Sequence, residues 1–426
     1  MNFREYIKTL NPIFIDEEVS LKYEIAAILN KLDGTPVYFS AYNLIGNIYS
    51  TPDLFAQSVG LSNFSEWIPF FLNARYHFGK MIKATQIPKM KRISVDDIPI
   101  LTHYEKDAGK YITSDALVAT RHEKTNVSTH RILILNKKEA TLRIVRRHLY
   151  AMFIDAKEHG EDLPIDICIG IPPSVQIAAA TSLDPLENEL ELAASLEGGE
   201  LPTINGLPES EIIIKGKLLH DKFVEEGPFY DIAEKYDIVR EEPVVQIDEI
   251  LAKENFIYHA LLPAGKDHKF LMGLPRIPII FDEVKKLGVD IKKVHLSPEG
   301  FGWLKTIISI KKKSDADIKK VLEGTIKGHY STKLIIVVDD DVDVMNESEV
   351  QKAITLNTKF DKTNPIILTE VKGSSLDPRA EGDLGSKMLI DATKPLQFRK
   401  ESFEQGKIPF DDTKFTKIKL RRRKLD

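Results

Sequence analysis

Six consecutive residues, Asn126-Val127-Ser128-Thr129-His130-Arg131, put an amide, two hydroxyls, an imidazole and a guanidinium directly before the apolar run 132–135. Polar groups at the mouth of a strand can bind a ligand or move a proton, although a polar turn feeding a strand has the same composition. A second knot, residues 225–231, reads Glu-Glu-Gly-Pro-Phe-Tyr-Asp. Its glycine-proline pair forces a turn that would set Glu226 and Asp231 on two sides and let one arginine reach both. Paired carboxylates around an arginine suit proton transfer, one holding the guanidinium while the other donates a proton. A third knot, Lys266-Asp267-His268-Lys269 followed by Arg276, concentrates cations after the apolar run 256–262. Such a cluster would hold a phosphate or carboxylate of a substrate, and a solvated loop would read the same way.

Elements have to hold these groups in place. Residues 16–32 carry apolar side chains at helical spacing (Leu21, Ile25, Ile28, Leu29, Leu32) and Gly34 supplies a stop, so an amphipathic helix is predicted to open the chain. Residues 36–42 read as a strand, and Thr51-Pro52-Asp53 as a hydroxyl cap with proline at the first helical position. The aromatic cluster around Trp67 has no interleaved basic stripe and is predicted to be core. From 93 to 217, short apolar runs at 117–120, 131–135, 142–145, 165–171 and 211–215 predict a strand-rich domain with the character of a barrel. A helix over 184–196 interrupts it, with Asp184 as cap, Pro185 at its start and Leu186, Leu190, Leu192, Ala193 and Leu196 on its apolar side. Turning that helix by about 100° per residue places Glu189 on the apolar side. Burying a lone carboxylate costs roughly several kcal/mol, so Glu189 is either partnered or a metal ligand.

From 281 onward, strands at 294–296, 306–310, 333–338 and 365–370 alternate with helices from 314 and from 347, the pattern of a helix-covered, partly parallel sheet. The acidic run 339–343 is not an EF-hand, because Val344 and Val350 stand where the glycine and closing glutamate belong. Gly385-Ser386-Lys387 lacks the phosphate-loop order, although Lys387 could meet a phosphate as a point charge.

A length of 426 residues predicts two or three domains, and 59 basic against 64 acidic residues leave a mild net charge of -5. That balance gives no signal for nucleic acid or an anionic membrane, and a small-molecule partner is expected. The basic tail 417–424 reads as a solvated terminus. The single cysteine, Cys168, excludes an intrachain disulfide and a cysteine-based zinc site and fits a reducing compartment. With no signal-peptide core and no apolar span of about twenty residues, a soluble cytoplasmic protein is expected.

Taken in order, the knots resemble one family. Asn126 with Arg131 five residues on, the stretch 143–148, residues 184–198 containing Glu189, Glu226-Gly227-Pro228-Phe229 with Asp231, the run 339–343, and Gly385-Ser386-Lys387-Met388 with Asp391-Ala392-Thr393 stand as in the UbiD-like decarboxylases, over residues 97–393. The resemblance implies a non-oxidative decarboxylase using prenylated FMN, with a divalent metal, usually manganese, and often potassium. It implies an α/β (α+β) fold: a central split β-barrel flavin-binding domain (96–280) flanked by an N-terminal α/β region (1–95) and a C-terminal α/β assembly region (281–426). By position, Asn126, Glu189 and His148 would hold the metal. Thr129, His130, Arg131, Arg143, Ile144, Val145, His148 and Leu149 would line the cofactor, and Lys387 its phosphate. Arg131, Glu226 and Asp231 match the family's acid-arginine-acid triad, with Asp231 as the candidate proton donor. A flavin prenyltransferase would supply the cofactor, and a homo-oligomer is expected.

The segment 261–276 is similar to that of an archaeal subgroup associated with decarboxylating trans-anhydromevalonate 5-phosphate to isopentenyl phosphate, which would make Lys266, His268, Lys269 and Arg276 substrate contacts. Ile277 and Lys215 depart from that pattern, and Ile277 would weaken the substrate assignment if it lined the pocket. The competing expectations are an aromatic or polyprenyl-hydroxybenzoate decarboxylase and a non-catalytic flavin-binding protein.

Overall fold

A computed structural model of the chain describes residues 1–185, 187–397, 400–403 and 406; Leu186 and the basic tail 417–424 lie outside the described residues. The chain opens on a short helix, Phe3–Thr9, closed by a capping box between Asn2 and Glu5. The helix expected over 16–32 is confined to Glu24–Lys31, because the chain before it runs along a strand, Ile13–Ile15, paired with Val37–Phe39. Thr51 caps the helix Pro52–Ser58 as its sequence predicts. Trp67 is fully buried, meets Phe55 edge-on at 4.9 Å, and donates its indole N–H to the Leu274 carbonyl at 2.9 Å. The aromatic cluster is therefore core, tying the N-terminal helices to the segment that leads into Arg276.

The centre of the molecule is a nine-stranded sheet whose ladders are all antiparallel, built on the long strands Ile212–Glu226 and Arg240–Lys253. Most of its strands overlap the predicted apolar runs, but among the described residues no barrel closes: the strand path ends on Tyr111–Ile112 at one side and Lys124–Ser128 at the other. The second edge is covered by the helix Glu189–Leu196 rather than by a strand, its first residue capturing the Val127 N–H. This helix starts four residues later than predicted, with Asn188 and not Asp184 as cap, since the Asn188 side chain takes the Leu190 N–H at 2.9 Å. The strand expected at 142–145 ends at Leu142, leaving residues 143–147 free of the sheet. Cys168 is a buried free thiol.

The C-terminal sheet orders its strands Ile291–Leu296, Lys305–Ile310, Leu334–Asp339, Leu384–Asp391 and Ile366–Lys372, with two parallel and two antiparallel ladders. The strand Leu384–Asp391 was not legible, because Gly385-Ser386-Lys387 reads as a loop. Two helices, Arg276–Lys286 and Ala316–Gly328, pack against each other at two glycines. A β-carbon on Gly324 would come within 2.7 Å of the Val284 backbone, and one on Gly328 within 2.8 Å of the Ile280 backbone. This contact sets where Arg276 begins one helix and where His329 and Tyr330 follow the other. Gly324→Val is expected to cost about 3 kcal/mol by overpacking, measured as a lower denaturation midpoint against wild type; an unchanged midpoint would refute the close-packing argument. Among the described residues no helix is long and apolar enough to cross a membrane.

Candidate active site

One cavity of about 1260 Å³ opens between the edge strand Lys124–Ser128, the segments 143–149 and 261–276, and the turn after Gly328. The hexapeptide sits on its wall, held from behind by Asp115. That buried carboxylate accepts the His130 N–H at 2.9 Å and the Thr129 hydroxyl at 3.2 Å. Burial pushes Asp115 up to about 7 against those two hydrogen bonds. Asp115 thereby fixes the residues preceding Arg131.

Arg131 is the centre of an ion network. It donates Nε and Nη2 to the two oxygens of Glu226 at 3.0 and 2.8 Å, and Nη1 to Asp231 Oδ2 at 3.0 Å. Its guanidinium lies 4.8 Å from the Phe229 ring centre, and Glu226 is wholly buried and also receives the Tyr111 hydroxyl at 3.1 Å. The turn before Phe229 needs its glycine, because Gly227 has φ +98°. The expectation that one arginine reaches both acids holds geometrically, but the group is larger than a triad. Asp237 accepts from Arg131 Nη2 at 3.0 Å and from Arg240 Nη1 at 2.7 Å. Asp237 and Arg240 were missed; the repeated Tyr-Asp of Phe229-Tyr230-Asp231 and Lys235-Tyr236-Asp237, which pair as a hairpin, was the available signal.

Glu189 is buried at the first turn of its helix, as its inward phase required. Its carboxylate accepts the Val127 N–H at 2.9 Å and lies 3.4 Å from the Asn126 amide nitrogen, and burial pushes it up to about 7 despite those contacts. His148 lines the same cavity at the start of the helix His148–Glu158. Among the described residues no group of three or more His, Cys, Asp or Glu side chains converges as a metal cage.

Of the other candidates, Thr129, His130, Arg143, Val145 and Leu149 line the cavity. His130 contacts Ser128 and the Arg143 carbonyl, and burial pulls its imidazole down to about 4, so it is neutral. Arg143 is paired with Glu242 at 2.6 Å. Four predicted positions are corrected. Ile144 turns into the hydrophobic core, away from the cavity. Lys387 is not on the cavity wall; it is buried in its strand, donating to the Tyr330 and Thr332 carbonyls, and burial lowers it to about 8. Its ammonium braces the turn that carries Tyr330. Lys266 is exposed, and Lys269 is paired with Glu234 at 2.6 Å, so neither faces the cavity.

His268 and Arg276 do face it. The His268 Nδ1 accepts the Ala264 N–H at 3.2 Å, which leaves the proton of the neutral ring on Nε2. Burial pulls His268 down, partly opposed by the charge of Asp231. Arg276 is buried, donates Nη2 to the Ser182 hydroxyl at 2.5 Å, and leaves Nε without a partner. Arg147 donates to the same Ser182 hydroxyl and to the Tyr330 hydroxyl. Among the described residues neither guanidinium meets a carboxylate, and burial beside Arg147 lowers Arg276 to about 10. Arg147, Ser182 and Tyr330 were missed, for they lie far apart in sequence. Ile277, the departure noted above, packs in the core and does not line the cavity.

The chain matches two family models: the 3-octaprenyl-4-hydroxybenzoate carboxy-lyase Rift-related domain over residues 80–266 and the carboxy-lyase C-terminal domain over residues 269–392. It is 36% identical to an anhydromevalonate phosphate decarboxylase of Methanocaldococcus jannaschii over 95% of this chain and 99% of that protein. A protein of the same name from Methanothermobacter thermautotrophicus is 34% identical over 90% of this chain and 94% of that protein. In structure it is similar to the UbiD-class enzyme HmfF of Pelotomaculum thermopropionicum in complex with FMN, with TM-score 0.90, 28% identity, and 98% and 99% of the two chains covered. The mixed α/β fold is thus that of UbiD-class enzymes, and with both domain models matched in order and full-length relatives above 30% identity, the chain belongs to the UbiD family of decarboxylases.

Proposed function

We propose that the chain decarboxylates trans-anhydromevalonate 5-phosphate to isopentenyl phosphate and CO2, with prenylated FMN as cofactor. The observation that carries the substrate class is the pair of guanidiniums, Arg147 and Arg276, which share Ser182 and, among the described residues, form no ion pair with a carboxylate. A buried arginine with an unpartnered N–H is costly unless an anion completes it. That pair lies in one cavity with the acid-arginine group, so a molecule with a phosphate at one end and a carboxylate at the other is complementary to both. Five archaeal relatives at 31–36% identity carry the name anhydromevalonate phosphate decarboxylase. His268 would present its Nε2–H to the substrate.

The cavity suits the cofactor by volume and by its buried cations, and the HmfF structures are described with FMN and prenylated FMN. Thr129, His130, Arg143, Val145, His148 and Leu149 would hold it. When bound, prenylated FMN supplies an electron-withdrawing ring system that polarises the bond to the departing CO2. Asn126, Glu189 and His148 offer an amide oxygen, a carboxylate and an imidazole, a donor set suited to a divalent cation such as Mn2+, with K+ as a second ion. Arg131 fixes the reacting acid beside Asp231, Glu226 keeps Arg131 in plane through two parallel hydrogen bonds, and Phe229 and Ile232 exclude water. Asp231 returns a proton from its carboxyl to the carbon that loses CO2. We also assign the open central sheet as the family's split barrel within a 1–95, 96–280, 281–426 division. The further expectations are a cytoplasmic homo-oligomer and a flavin prenyltransferase as cofactor source.

The test is CO2 release by the prenylated-FMN-loaded enzyme from the phosphorylated acid and from 4-hydroxybenzoate-type acids, with isopentenyl phosphate identified by mass; turnover of the aromatic acid alone would overturn the substrate. Glu189 yields a second check. Its folded-state value is raised above that of an unfolded carboxyl, so the folded protein holds the extra proton between about pH 4.5 and 7, and metal-free stability falls as pH rises through that window. Glu189→Gln is expected to flatten that fall and to abolish stabilisation by added Mn2+, both read by urea denaturation at pH 5 and 7.5 with and without chelator. A wild-type slope in the variant would remove Glu189 from the metal site.

A further inference from the structure

The acid group around Arg131 contains a second guanidinium and a third acid. Glu226 and Arg240 are opposite one another in the ladder of the two long strands, and the chain between them leaves the sheet as a hairpin, Phe229–Asp231 against Lys235–Asp237. Asp231 and Asp237 stand on its two arms, and Arg131 donates to both. Every acceptor of Asp237 is committed: Oδ1 takes the Ile238 N–H at 2.9 Å, and Oδ2 takes Arg131 Nη2 at 3.0 Å and Arg240 Nη1 at 2.7 Å. Arg240 is itself anchored on the Ile238 carbonyl at 3.1 Å.

We infer that Asp237 and Arg240 are positioning residues for the decarboxylation, acting through Arg131. Without Asp237, Nη2 would answer to Glu226 alone, and the guanidinium could swing about that bidentate pair. With it, Arg131 is held at three points, and Nη1 is the donor left to face Asp231. The charge count agrees: two guanidiniums face three carboxylates, so Arg131 is not free to neutralise Asp231 fully. Burial pushes Asp237 up, but the hydrogen bond from Arg240 and the charges of Arg131 and Arg240 more than reverse it, keeping it an ionised anchor.

This inference rests on the reading of Arg131 as part of the decarboxylase site, and its test separates the two. In full-length enzyme loaded with prenylated FMN, Asp237→Ala is expected to lower kcat by ~10- to 100-fold, the loss of a charge-assisted contact. KM, flavin affinity and melting temperature should stay near wild type. Arg240→Met, which keeps the aliphatic stem, should lower kcat by roughly 5-fold, and the double variant should be no worse than Asp237→Ala, because both act through one guanidinium. Full kcat in Asp237→Ala, or a loss that tracks flavin release or melting, would overturn the inference, as would additive losses in the double variant. Arg131→Met measured alongside tells the failures apart: inactive Arg131→Met with active Asp237→Ala defeats only this inference, whereas active Arg131→Met defeats the site itself.

Discussion

Arg131→Ala is expected to reduce kcat by ~10²- to 10³-fold, the range for removing a preorganised donor from a reacting centre. Three arguments converge on a large effect. Arg131 makes four hydrogen bonds to three carboxylates, so no single neighbour can take over its place. Glu226 would be left wholly buried with only the Tyr111 hydroxyl, and stranding one member of a buried ion pair costs about 3–5 kcal/mol. Asp231 would lose the donor that orients it. Arg131→Lys tests geometry against charge: a lysine restores the charge but not the bidentate hold on Glu226, so most of the loss should persist. The measurement is CO2 release under saturating substrate, with the flavin spectrum confirming that the site is loaded. Activity within a few-fold of wild type in both variants would remove Arg131 from the chemistry.

Arg276→Met is expected to raise KM for the phosphorylated acid by ~100-fold while changing kcat little, as befits a group that binds ground state and transition state alike. The side chain is buried, its Nε has no partner, and the Trp303 ring lies 5.5 Å from its guanidinium, so the site is built for a planar cation awaiting an anion. A charge-assisted hydrogen bond to phosphate contributes roughly 1.5–3 kcal/mol, and Arg276 has more than one free donor to give. The comparison that decides the ligand is flavin affinity. If Arg276→Met weakens FMN binding and leaves KM unchanged in the loaded enzyme, the anion is the flavin phosphate; if KM rises with flavin affinity intact, it is the substrate phosphate. No change in either would refute an anion site there.

Much of the site is written locally. The Gly227-Pro228 turn by itself sets Glu226 and Asp231 on its two sides within reach of one arginine, and Arg131 lies where a strand entrance can supply that partner. Glu189 was legible from helical phase alone, and it faces inward even though the helix begins four residues later than its sequence cues imply. Lys266, Lys269 and Lys387 show the opposite case. All three are cations near the right segment, but one is in solvent, one is neutralised by Glu234 and one is consumed by backbone carbonyls. Sequence proximity says nothing about which cation has its charge already spent.

Legible in the sequence were the α/β character with several of its elements, the acidic and basic side chains available for chemistry, and the turn and helix phases that aim Glu226, Asp231 and Glu189, since these follow from backbone geometry over a few residues. Only the tertiary structure decided that Asp237 and Arg240 join Arg131, that Arg147 and Arg276 meet over Ser182, and that the central sheet stays open with a helix on its edge. The contacts that assemble those groups join residues from 35 to more than 100 positions apart, apart from the local Asp237–Arg240 pair. Their approach is set by packing, such as the glycine contact between two helices that places Arg276 and Tyr330, and no local pattern encodes it.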